Sequence, residues 1–202
     1  MIVVGLTGGP GSGKTSVAEI LKENGAIILS GDEIGRRIAD KNQATLNKLV
    51  KVFGKQILGQ GRKLNRRTLG KIVFANSQAL YRLNEIIHPP LLRMLKTELT
   101  KHLRRRSNKI IVIDAALIFE WGIADWCNFI LVVTADREIR VRRMIKSGLT
   151  RKEAEDRIAS QLPERDKVAL ADYVVHNNGT KAALRHATLE FLKILKGIQK
   201  AN

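Results

Sequence analysis

The residues Gly8-Gly9-Pro10-Gly11-Ser12-Gly13-Lys14-Thr15 satisfy the pattern G-x-x-x-x-G-K-[ST] at every fixed position. The chemistry of that spacing is phosphate binding. Glycines let a loop wrap back on itself, so that successive N–H groups converge on phosphate oxygens. A helix that starts directly after such a loop adds the positive end of its dipole. Lys14 then reaches the β- and γ-phosphates of a nucleoside triphosphate, and the Thr15 hydroxyl supplies an oxygen ligand for Mg²⁺. Gly9, Gly11, Ser12, Gly13, Lys14, Thr15 and Ser16 are therefore expected to grip ATP.

Transfer of a phosphoryl group asks for two further kinds of residue: an acid near the acceptor hydroxyl, and cations over the moving charge. Asp32 is the best-placed acid, and its competing role is N-cap of a helix over Glu33–Ala39. Asp114 closes the apolar run Ile110–Ile113, where an acid can hold Mg²⁺ directly or through water; its competing role is that of a turn residue. Cations are abundant in one stretch that carries Arg140, Arg142, Arg143, Arg151, Arg157 and Arg165. That richness suggests a lid over residues 142–167, closing on ATP so that water is excluded from the reaction.

Short apolar runs must position these groups: Ile2–Thr7, Ala26–Leu29, Ile110–Ile113, Phe129–Val133 and Tyr173–Val175. They alternate with helical stretches, which is the pattern of an α/β fold with a parallel sheet between helices. The expected architecture is a three-layer α/β/α P-loop NTPase domain over residues 1–202, with a five-stranded parallel sheet. Ligands gather at the carboxyl ends of such strands. Those ends are Gly8 onward, Ser30-Gly31-Asp32, Asp114, Thr134 and His176-Asn177-Asn178-Gly179.

The first helix is expected over Thr15–Asn24, closed by Gly25. Residues 41–106 read as a helical insertion suited to holding an acceptor, with helices over Thr45–Phe53, Arg66–Phe74, Ser77–Ile87 and Pro89–Arg106. The last of these would begin on proline, where the missing N–H costs least. Thr150-Arg151-Lys152-Glu153 has the spacing of a capping box and starts a helix to about Gln161. Thr180 is expected to cap a final helix, Lys181–Ile198.

A formal charge of +17 attracts polyanions: nucleic acid, acidic membranes or phosphorylated small molecules. The densest clusters, Arg62–Arg67 and Lys101–Arg106, are not interleaved with aromatics, and no nucleic-acid recognition motif occurs, so nucleic acid is not an expected partner. An ATP-dependent nucleic-acid binder remains the alternative of a different class. The single cysteine, Cys127, excludes an intrachain disulfide and a cysteine-rich metal site, which favours a reducing compartment. The stretch Met1–Leu6 lacks a basic leader, and no apolar run approaches the roughly 20 residues of a membrane helix, so a cytoplasmic location is expected, with no membrane partner.

The base-reading Asn-Lys-x-Asp motif of GTPases is absent, and a short chain with two insertions favours a small-molecule kinase. Beyond the loop, Asp32-x-x-x-Arg36, Leu64–Phe74, His88-Pro89, Asp114-Ala115-Ala116-Leu117-Ile118-Phe119-Glu120, Arg157–Gln161 and Ala171–Gly179 follow in order. Together they resemble the dephospho-CoA kinase family over nearly the whole chain. The resemblance implies transfer of the ATP γ-phosphoryl to the 3′-hydroxyl of dephospho-CoA, with ATP and dephospho-CoA as small-molecule substrates and Mg²⁺ at Thr15 and Asp114. It implies Asp32 as general base and Lys14 and Arg142 as its catalytic companions. Arg36, His88, Leu117, Phe119 and Glu120 would then face the acceptor, Arg142 and Arg157 the phosphates, and Asn177 and Gly179 the adenine. The chain departs from the family pattern at Ser30 and Gly31, where Asp-Ala is usual, at Pro10, usually another apolar residue, at Ala116, usually proline, and at Lys146, often arginine. Another P-loop kinase of nucleoside, shikimate or gluconate type is the runner-up, but it leaves His88-Pro89 and Leu117–Glu120 unexplained.

Overall fold

The computed structural model of the chain describes residues 1–105 and 109–201. Arg106, which ends both the second basic cluster and the expected insertion, lies outside the described residues. The elements in order are β1 (Val3–Thr7), α1 (Lys14–Glu23), β2 (Ile27–Ser30), α2 (Gly31–Lys41), α3 (Gln43–Phe53), α4 (Arg66–Phe74) and α5 (Ser77–Arg104). They continue with β3 (Ile111–Asp114), β4 (Phe129–Thr134), α6 (Arg137–Lys146), α7 (Arg151–Ala159), α8 (Glu164–Ala169), β5 (Tyr173–His176) and α9 (Lys181–Ala201). The five strands form one parallel sheet in the order β2-β3-β1-β4-β5.

Register decides where the chemistry can sit. Leu6 pairs with Asp114, Asp114 with Ser30, and Thr134 with His176, so the carboxyl ends of neighbouring strands are level. Each of the five strand ends expected to carry polar groups therefore opens on one edge of the sheet. The strands themselves are β-branched and aliphatic, as fits strands covered on both faces. Every residue of β1 is buried.

Two compact units are present: Met1–Ser30 with Leu99–Asn202, and Gly31–Glu98. In the first, α1 and α9 contribute Val17, Leu21, Leu184, Phe191, Leu192 and Leu195 to a core shared with Leu6, Leu131 and Val133 of the sheet. Burying each such side chain stabilises by about 1.5–3 kcal/mol. The rings of Tyr173 and Phe191 add a tilted contact with centroids 4.9 Å apart. In the second unit, Leu49, Phe53, Ile57, Leu69 and Val73 form a separate core, against which Leu80, Leu83 and Ile87 pack. Asn42 and Asn65 cap α3 and α4, accepting hydrogen bonds from Thr45 N at 3.0 Å and Thr68 N at 3.1 Å.

One expectation about the insertion fails. Ser77–Ile87 and Pro89–Arg106 are not two helices; α5 runs without a break through Pro89 and Pro90. A proline inside a helix removes one donor and crowds the carbonyl four residues earlier, at a cost of about 3 kcal/mol or more. Side-chain burial offsets it here: Leu91, Leu95 and Leu99 recur every fourth residue on one face and are all buried.

Candidate active site

The phosphate loop is shaped from outside. For its N–H groups to face inward, its carbonyls must face outward and find donors there. Arg143 of α6 supplies them: its Nη1 donates to Gly11 O at 3.2 Å and to Ser12 O at 3.3 Å. Its Nη2 donates to Asn177 O at 2.8 Å. Asn177, itself buried, donates from Nδ2 to Ser12 O at 2.8 Å. Two glycines make the close approach possible. Gly11 has φ 76, and a Cβ there would lie 2.6 Å from Arg140 O; Gly13 has φ 99, and its Cβ would lie 2.1 Å from Asn177 Nδ2. No other residue type fits either position without moving the clamp.

Lys14 opens α1 and forms a short ion pair with Asp114 at the end of β3. Both side chains are almost wholly buried. The β1–β3 register that sets Asp114 beside Leu6 is what brings this carboxylate to the loop. The donor set suits Mg²⁺, which takes oxygen ligands and keeps several of its own waters or phosphate oxygens. The Asp114 carboxylate and the Thr15 hydroxyl, exposed at the first turn of α1, are the residues that could hold it. Among the described residues there is no cluster of three or more His, Cys, Asp or Glu side chains that could hold a metal ion.

The arginines divide into two groups. Arg142 is exposed and donates to Glu138 O of its own helix at 3.4 Å. Arg157 is half-buried on α7. Arg140 is buried and paired with Glu164 at the start of α8. The exposed Arg151 bonds Glu138 at 2.7 Å, and that hydrogen bond and charge raise its pKa above the usual arginine value. The capping box at Thr150 and Glu153 forms as its spacing requires. Val141, Met144 and Ala154 give α6 and α7 a small core of their own, completed by Leu149 and Ile158. Sequence reasoning counted Arg140 and Arg143 only among the lid cations and gave the phosphate role to Arg142 and Arg157. It did not foresee that Arg140 pairs with Glu164 and Arg143 braces the loop. The signal was available: Arg140, Val141 and Met144 lie on one helical face, so Arg140 points inward while Arg142 points away.

A second group was also missed. Lys167 of α8 has no exposed surface, and its Nζ donates to Ala116 O at 2.6 Å and Gln161 Oε1 at 3.1 Å and pairs with Glu120 at 3.0 Å. Burial lowers its pKa below the usual lysine range, against the opposing pull of Glu120. Glu120 also accepts from Leu162 N at 2.9 Å, so the carboxylate expected at an acceptor is engaged with α8 and the segment before it. Leu117 and Phe119 keep partial exposure, whereas Ile118 is entirely in the core.

Within the Gly31–Glu98 unit, Asp32 and Arg36 lie one turn apart on α2, both exposed. Asp32 sits inside the first turn and not at an N-cap, because the helix begins at Gly31. His88 lies in the middle of α5, half-buried, and desolvation lowers its pKa, which keeps the imidazole neutral near pH 7. Of the Asn177-Asn178-Gly179 turn, Asn177 braces the phosphate loop and Asn178 pairs with Asp136, both at 2.8 Å, while Gly179 is exposed.

Comparison with known proteins finds relatives along nearly the whole chain. The sequence model of the dephospho-CoA kinase family matches residues 2–183. A dephospho-CoA kinase of Geobacillus kaustophilus is 35% identical over 200 residues, covering 98% of this chain and 99% of the relative. A solved structure from Thermus thermophilus superposes with a TM-score of 0.76 at 31% identity, covering 96% of each chain. The dephospho-CoA kinase structure from Campylobacter jejuni gives a TM-score of 0.67 at 27% identity, covering 99% of this chain and 98% of that one. With a phosphate loop braced from α6 and from Asn177 just past β5, a family model matching residues 2–183 and a relative 35% identical over 200 residues, the chain belongs to the dephospho-CoA kinase family.

Proposed function

We propose that the chain transfers the γ-phosphoryl group of ATP to the 3′-hydroxyl of dephospho-CoA, releasing CoA and ADP. The observation that carries this reading is the braced loop Gly8–Thr15 with Lys14 against Asp114, in a chain of this family. Lys14 and the inward N–H groups of the loop hold the β- and γ-phosphates, and Asn177 and Gly179 border the adenine side. Thr15 and Asp114 hold Mg²⁺, which when bound neutralises charge on the triphosphate. Asp32 takes the proton of the 3′-hydroxyl as that oxygen bonds to phosphorus and the bond to ADP breaks. Arg36, His88, Leu117, Phe119 and Glu120 serve the acceptor, and the helical insertion over residues 41–106 helps to hold it. Arg142 and Arg157, in a lid over residues 142–167, come over the transferring group and stabilise its charge. The enzyme works in the cytoplasm; Cys127 is a free thiol, and among the described residues no helix is long and apolar enough to cross a membrane.

The test is a coupled ADP-release assay with dephospho-CoA, adenosine, AMP and shikimate offered separately. Stimulation by dephospho-CoA alone is expected. Equal or greater turnover of another acceptor would refute the assignment.

A further inference from the structure

The carbonyl of Ala116 is a meeting point. It accepts from Thr7 Oγ1 at 3.0 Å and from Lys167 Nζ at 2.6 Å. Thr7 ends β1, one residue before the phosphate loop; Ala116 lies two residues beyond Asp114; Lys167 belongs to α8, the helix at the end of the arginine-rich segment. A carbonyl has two lone pairs, and here both find donors.

Lys167 is an unusual choice for this task. Burying an ammonium with no exposed surface is costly unless every proton is bonded and a counter-charge is near. Both conditions are met: three acceptors, Ala116 O, Gln161 Oε1 and Glu120 Oε1, match its three donors, and Glu120 supplies the charge. A methionine or leucine would fill the same volume without that cost. What an apolar side chain cannot do is hold the peptide at Ala116 in one orientation. That peptide sets the course of Leu117–Glu120, which leaves the sheet directly after the residue paired with Lys14.

We propose that Lys167 is a positioning residue for phosphoryl transfer: by holding the Ala116 carbonyl together with Thr7, it fixes the Leu117–Glu120 segment at the geometry the acceptor needs. It touches neither nucleotide nor acceptor itself. The proposal rests on the reading that Leu117, Phe119 and Glu120 face dephospho-CoA. The loop that grips ATP is braced by other groups, Arg143 and Asn177. Loss of Lys167 is therefore felt on the acceptor side and not in ATP affinity.

The experiment compares Lys167→Met, Lys167→Arg, Thr7→Val and the Lys167→Met/Thr7→Val double variant with the wild-type enzyme. Readouts are kcat and KM for dephospho-CoA, Kd for a fluorescent ATP analogue, and thermal melting. Misplacing a reacting group by about 1 Å can lower rate about 100-fold, and Lys167→Met is expected to lose kcat/KM for dephospho-CoA on that scale. Its ATP Kd stays within 3-fold. Lys167→Arg, which keeps a cation and its donors, recovers at least 10-fold over Met. Thr7→Val loses less in the same direction, and its effect is not additive with Lys167→Met because the two share an acceptor. A folded Lys167→Met with kcat/KM within 3-fold of wild type overturns the proposal, as does a parallel loss of ATP affinity. Should Lys167→Met fail to fold, Thr7→Val decides: unchanged acceptor kinetics there overturns it equally. A wild-type chain that does not phosphorylate dephospho-CoA removes the acceptor reading first, and the role of Lys167 with it.

Discussion

Replacing Arg143 by methionine removes the guanidinium and keeps an unbranched side chain that helix α6 tolerates. Three hydrogen bonds disappear: to Gly11 O, Ser12 O and Asn177 O, at 3.2, 3.3 and 2.8 Å. Ser12 O keeps its bond from Asn177 Nδ2, so two carbonyls lose the donor described for them. Hydrogen bonds to charged groups contribute about 1.5–3 kcal/mol, and an unmade one leaves a penalty of about 1–3 kcal/mol. Arg143 is only half-buried, so water can replace part of what is lost. A net cost of about 2–4 kcal/mol follows, which corresponds to a fall in affinity of about 30- to 1,000-fold if all of it bears on loop order. With solvent access the lower end applies, and Arg143→Met is expected to weaken ATP binding about 30-fold. Titration of a fluorescent ATP analogue measures this directly, with circular dichroism to confirm folding. Arg137→Met is the matched control, because this arginine lies on the same helix, is exposed, pairs only loosely with Glu155 at 3.8 Å, and has no part at the nucleotide. A folded Arg143→Met that binds ATP within 3-fold of wild type refutes the clamp. So does a larger loss of affinity in Arg137→Met than in Arg143→Met.

Further expectations concern the chemistry and the one thiol. Asp32→Asn should keep ATP affinity and lower kcat by about 10²–10⁴, the usual contribution of a general base; near-normal kcat would remove the assignment. Lys14→Ala should lower kcat by at least about 10²-fold, since it deletes a charge aimed at the transferring group, and stopped-flow or coupled assays would show normal turnover if the loop were not the phosphate site. Burial pushes the Cys127 thiol up from 9.0 to about 12. At pH 8 the native protein should therefore react with a thiol reagent about 1,000-fold more slowly than its urea-unfolded form, because only the thiolate attacks. The sign for stability follows: above pH 9 the unfolded chain ionises this thiol and the folded chain does not, so stability falls as pH rises from 9 toward 12.

Much of the fold was readable because its signals are local. All five strands fall within a residue or so of the apolar runs, and Arg66–Phe74 matches α4 at both ends. Capping boxes and N-caps act within one turn, which is why Thr150 and Thr180 were found. What escaped depends on contacts distant in sequence. Pro89 looked like a helix start because proline usually is one; burial of Leu91 and Leu95 overrides that preference, and no local rule reports it. Asn177 reads as a turn residue until β5 is set beside β4, which carries its amide to Ser12. Lys167 reads as one of many surface cations, since a buried ammonium is recognisable only once Ala116, Gln161 and Glu120 are seen around it. The loop Gly8–Thr15 was legible as a pattern, whereas the groups that give it shape were not.

The Arg140–Glu164 pair has a topological meaning. It joins the beginning of the arginine-rich segment to its end, so the chain between them is a closed ring and not an open flap. Bringing together the ends of about 25 residues costs roughly 3 kcal/mol of chain entropy, and here that is settled during folding. Helix α7, packed on α6 through Val141, Met144 and Ala154, is thereby tethered at both ends of the ring. Protease cleavage within the ring should leave its two ends still held together by an ion pair almost hidden from solvent.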